Sequence, residues 1–125
     1  MTIKHIYMAG TLTAVALATG CSKAPTVSYA NDVMPVLNRH CSECHVAGGA
    51  GTEKSGFAVD SYDSVMSGTR LGPMVVPGDP LSSNLYRMVA GEVDESIRMP
   101  HQKAALSADE VAVIQTWIAE GALDN

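Results

Sequence analysis

A chain of 125 residues with 13 Asp and Glu against 8 Lys and Arg, a net charge of −5, holds one small domain at most and lacks the broad basic surface of a nucleic-acid binder. One Phe, one Trp and four Tyr leave a thin apolar core for that length.

The first twenty residues have the order of a secretory signal. Lys4 is followed by an apolar run over 8–18 and then by small residues, and about eleven apolar or small residues are too few to span a bilayer. Ala18-Thr19-Gly20-Cys21 resembles a lipobox, in which Cys21 would be lipidated and become the new N-terminus, although Leu17 lies one place further out than usual. Ordinary cleavage after Ala18 competes with it, but would leave Cys21 as a lone thiol. The expected division is a signal peptide over 1–20, a lipidated N-terminus and tether over 21–28, and a folded domain over 29–125. Several acyl chains would anchor the protein stably outside the cytoplasmic membrane. Ser22 in place of an aspartate favours the outer membrane in a Gram-negative host. Without its leader the chain keeps seven Lys and Arg against thirteen Asp and Glu, a charge of −6.

The domain opens on a helix expected over 31–39, capped by Ser28 or Asn31, with Val33, Val36 and Leu37 at helical steps and Pro35 confined to the first turn. It delivers the chain into Cys41-Ser42-Glu43-Cys44-His45. This C-x-x-C-H arrangement attaches a c-type haem: each thiol adds across one vinyl group, and the adjacent imidazole becomes an axial ligand of the iron. A bound porphyrin would also supply the apolar bulk that the composition lacks. A zinc site would need two more ligands at a second knuckle, and His5, His40 and His101 form no pair. A thioredoxin-like site would follow a strand, whereas a helix is expected here. His40, beside a haem-linked cysteine, reads as a helix-end residue.

Residues 46–56 hold four glycines and no apolar periodicity, which predicts a flexible loop; Lys54-Ser55 has neither the strand nor the helix of a phosphate-binding loop. A short helix follows over 61–66. Pro77-Gly78-Asp79-Pro80 marks a turn, with Asp79 or Ser82 capping a helix over 81–89. Val75 and Val76 suit porphyrin packing and Arg70 suits a propionate, although ordinary core and surface roles account for them equally well. Ser107 and Glu110 form a capping box that opens a helix over 109–120, with Val111, Ile114, Trp117 and Ile118 on one face.

The second axial position has five candidates: Met66, Met74, Met88, Met99 and His101. Met66 and Met88 fall at helical spacing among apolar residues and read as core, and Met74 lies in an apolar run. Met99 stands in a loop before Pro100, which favours an extended backbone able to present a thioether inward.

Taken together, Val33-Met34-Pro35-Val36-Leu37, the haem motif, Ser55-Gly56-Phe57-Ala58-Val59-Asp60, Val76-Pro77-Gly78-Asp79-Pro80, Met99-Pro100, and Leu106-Ser107 with Trp117-Ile118 and Gly121-Ala122 resemble the mono-haem class I cytochrome c domains of the planctomycete type, over about 29–123. The resemblance implies an all-α fold of three to five short helices around one covalent haem c, with the terminal helix packed across the helix that leads into the motif. It also implies haem linkage through Cys41 and Cys44, axial ligation by His45 and Met99, and electron transfer rather than catalysis. His101 stands where a second proline is common, leaving an imidazole two residues from Met99. An acidic carrier would favour redox partners with basic docking patches and needs no small-molecule substrate. The alternative is an open-site haem enzyme of peroxidase type or a gas or redox sensor. Open-site cytochromes of the four-helix kind carry the motif near the C-terminus, whereas eighty residues follow it here.

Overall fold

The computed structural model describes residues 24–125; the signal segment, the cleavage site and Cys21 lie outside the described residues. Among the described residues the chain is all-α, with an isolated bridge between Thr69 and Gly72 and no strand. A π-helical turn over Tyr29–Val33 runs directly into α1, Met34–His40. Ser28 caps this lead by accepting from Asn31 N–H, and Pro35 sits in the first turn of α1, just after the π-helical turn. There follow α2 (Ala50–Ser55), α3 (Tyr62–Ser67), α4 (Asn84–Ala90), a 3₁₀ turn over Glu95–Ile97, and α5 (Ala108–Ala119).

The core forms where α5 packs on the π-helical lead. Trp117 lies 5.4 Å from Tyr29 between ring centroids, and Tyr62 meets Tyr29 edge-on at 5.2 Å, so half of the six aromatic side chains share one cluster. Val33, Leu37, Ile114 and Ile118 are fully buried around it. The Tyr29 hydroxyl has no hydrogen-bond partner among the described residues, and burial pushes its pKa up to about 12, which keeps it neutral. The chain ends close on this cluster as well. Asn125 accepts from Ala30 N–H at 3.0 Å, and Glu120 accepts from the N–H groups of Thr26 and Val27, two residues expected within the tether.

Two expectations change. Residues 46–56 are not a loop throughout, because six of them form α2. This helix buries no side chain of its own and is held from outside. The Cys44 carbonyl accepts from Gly51 and Thr52 N–H at its start, and the Arg70 guanidinium donates to the Glu53 and Lys54 carbonyls at its end. The helix predicted over 81–89 starts three residues later, at Asn84, with neither Asp79 nor Ser82 as its cap. Ser83 is fully buried instead. Its hydroxyl donates to the Asp79 carbonyl at 2.8 Å and accepts from Val76 N–H at 2.8 Å, so the turn folds around this side chain.

The capping box of α5 forms as expected, with Ser107 accepting from Glu110 N–H and Glu110 from Ser107 N–H. Glu110 also binds back to α1, accepting from His40 Nε2 at 2.9 Å and Arg39 at 2.7 Å. The bond to His40, then those to Ser107, pull its carboxyl down to about 2 from an ordinary 4.5. A lowered pKa means that this stabilisation is complete above about pH 4.5 and is lost as pH falls through about 2. Urea midpoints measured from pH 5 to pH 2 should therefore fall more steeply for the parent than for Glu110→Gln, which keeps an acceptor but cannot ionise. Parallel curves would contradict the assignment.

Candidate functional site

The turn that carries the two cysteines is built on α1. Cys41 N–H donates to Leu37 O as the helix ends, and the N–H groups of Cys44 and His45 both turn back onto Cys41 O, at 3.1 and 2.9 Å. Cys41 is half-buried and Cys44 exposed, and they form no disulfide. Burial pushes the Cys41 thiol up to about 11, so the sulfur stays protonated in its apolar wall.

His45 is held from behind by the segment that follows. Its Nδ1 lies 3.1 Å from the Phe57 carbonyl. A carbonyl can only accept, so Nδ1 carries the proton and the lone pair resides on Nε2. The ring packs against Phe57 at 5.5 Å between centroids, and Val59 N–H donates to His45 O at 2.7 Å, tying the two segments twice. Gly51 lies against the Nδ1–Cε1 edge of the same ring. A Cβ there would stand 2.8 Å from His45 Cε1 and 2.9 Å from Cys44 O, so only glycine lets α2 approach the imidazole this closely.

In front of the ring is a cavity of about 440 Å³, within the usual range for a small-molecule or cofactor site. Cys41, Cys44 and His45 form one wall. Leu85, Met88 and Val89 of α4 and Met74 contribute apolar lining, and Met99, Pro100 and His101 line the same cavity. The structure thus brings Cys41, Cys44, His45 and Met99 to one cavity, although Met99 is 54 residues from His45 in sequence. His101 lines it too. Lys103 forms an ion pair with Glu43, joining the loop that bears Met99 to a residue between the two cysteines.

Met88 packs against the core, as its helical spacing implied, and also lines the cavity, while Met66 packs against the core without lining the cavity. Arg70 is engaged with α2 carbonyls, and Val75 and Val76 do not line the cavity. His40 borders the cavity but bonds to Glu110. Two contributors escaped sequence reasoning. Gly51 was one glycine among four, and Thr52, whose hydroxyl donates to Phe57 O at 2.9 Å, lay within an assumed loop. The C-x-x-C-H motif followed closely by small residues was the available signal for Gly51.

This donor set fits a covalently held haem. Two thiols three positions apart, one imidazole whose Nδ1 is hydrogen-bonded so that Nε2 is the nitrogen left to ligate, a thioether and apolar side chains lining one cavity are the groups that such a cofactor requires. Among the described residues no three of His, Cys, Asp and Glu converge to hold a metal ion by themselves. Residues 41–102 match the family model described as Planctomycete cytochrome C. No curated protein and no solved structure matches the chain. Placing a methyl group against the imidazole tests the packing directly. Gly51→Ala should lower stability by about 1–3 kcal/mol in thermal unfolding, and a variant as stable as the parent would contradict the close approach.

Proposed function

We propose, from the premise that this chain carries a cytochrome c domain of the planctomycete type, that it is a mono-haem electron carrier with His45 and Met99 as axial ligands. The family's chemistry is haem-based electron transfer with haem c. When bound, the haem supplies an iron that alternates between ferric and ferrous states. Cys41 and Cys44 would hold the porphyrin as thioethers, His45 would ligate through Nε2, and Met99 would face it from the opposite loop.

The observation that carries this reading is the convergence of the motif and Met99 on one cavity, with His45 already held in the tautomer that ligation needs. The protein's part is to keep the site from rearranging as charge changes. Phe57 O holds the ring, the α4 side chains give the cavity apolar lining, and the ion pair of Glu43 with Lys103 links the segments that bear the motif and Met99. A thioether opposite an imidazole favours a higher potential than two imidazoles would.

We further propose that the protein is exported and held by a lipid on Cys21, with its redox partners presenting basic patches to an acidic surface. Encounters of this kind are weak and weaken further with salt.

Absorption spectra of the full chain, produced with a haem-attachment system, test the ligation. The ferric protein should be low-spin with the weak red band of a thioether bound to iron. Met99→Ala should abolish the band, whereas His101→Ala and Met88→Ala should retain it. A band that survives Met99→Ala, or a high-spin parent that takes up carbon monoxide readily, would overturn the His/Met carrier.

A further inference from the structure

The hydroxyl of Thr52 and the ring of His45 meet at one acceptor. Thr52 Oγ1 donates to Phe57 O at 2.9 Å, and His45 Nδ1–H donates to the same oxygen at 3.1 Å. We propose that Thr52 is a positioning residue for the axial histidine, sharing its carbonyl partner and thereby holding down the electron density that His45 delivers through Nε2. The inference rests on the reading of His45 as an iron ligand.

The local geometry is specific. Hydroxyls near the ends of short helices usually turn back to the carbonyl four residues earlier. Ser42, Ser55 and Ser67 all do so, onto Asn38, Gly51 and Asp63. Thr52 turns forward to Phe57 O instead. Its backbone is fixed by the bond from its N–H to Cys44 O at 3.1 Å, so its position follows that of the haem motif itself. The acceptor is equally fixed, since Phe57 N–H donates to Ser55 Oγ at 3.0 Å and the Phe57 side chain is buried.

A carbonyl oxygen has two lone pairs and can serve both donors. Each donor draws density from the oxygen, so the second is bound less strongly than it would be alone. An axial histidine whose Nδ1–H is held by a stronger acceptor is a more basic ligand, and a more basic ligand favours ferric over ferrous iron. The Thr52 hydroxyl therefore acts in the same direction as a methionine ligand on the far side, towards a higher potential.

The test uses the haem-loaded full chain with Thr52→Val, which keeps the shape and removes the donor, and Thr52→Ser, which keeps the donor. Redox titration should show a lower midpoint potential for Thr52→Val and recovery in Thr52→Ser. The His45 Nδ1–H proton resonance of the ferrous protein should move downfield in the valine variant alone, while the low-spin spectrum stays unchanged. If His45 is an iron ligand and neither potential nor resonance moves in Thr52→Val, the sharing is overturned and Thr52 merely supports α2. If the parent's His45 ring protons lack the shifts of an iron-bound imidazole, the ligand reading fails, and this inference fails with it.

Discussion

The hydrogen bond from His45 to the Phe57 carbonyl is the constraint on which the rest of the site depends. It fixes the imidazole tautomer and ring plane, and it also fixes where the chain goes after the motif. Residues 46–56 must leave His45, fold into α2 behind it and return so that Phe57 can offer its carbonyl. The return is possible because Gly51 lets α2 lie against the ring, and because Cys44 O accepts the N–H groups of Gly51 and Thr52. A bulkier residue at position 51 acts on the imidazole and the backbone of the motif together.

The other half of the site is positioned by different forces. Met99 lies on a loop after α4, and its N–H donates to Met88 O at 3.2 Å, so the loop is tied to a helix that lines the cavity. Lys103 then reaches Glu43, and this bond holds the Lys103 ammonium above the ordinary lysine range. Beneath both halves, α5 joins α1 through Glu110 and the π-helical lead through Trp117. The fold brings together three segments around a cavity whose lining includes the aliphatic and thioether side chains of Met74, Leu85, Met88, Val89, Ile97 and Met99. For a chain with so few aromatics, a porphyrin is the natural completion of that core.

Much of this was legible in the sequence, for reasons that differ by element. The α5 helix announced itself because its capping box and apolar stripe are local signals, and the motif singled out Cys41, Cys44 and His45, which line one cavity. Met99 was legible as a loop methionine before a proline, and it does line the cavity. Helix α2 was not legible. It buries nothing, and its end is held by Arg70, fourteen residues beyond Gly56, so neither periodicity nor composition could reveal it. The same distance effect hid Ser83, whose buried hydroxyl organises a turn that had seemed to need only its prolines and glycine. Met88 packs against the core as its helical spacing implied, but that spacing could not show that the same side chain also lines the cavity.

Read as a haem site, the cavity in front of His45 would hold its porphyrin through two thioether bonds. Mass measurement of the denatured chain, produced with a haem-attachment system and then digested, tests this without reference to ligation or potential. One porphyrin per chain is expected, carried on the peptide that contains Cys41 and Cys44 and surviving denaturation. A chain that emerges unmodified, with both thiols free to alkylate, would contradict it.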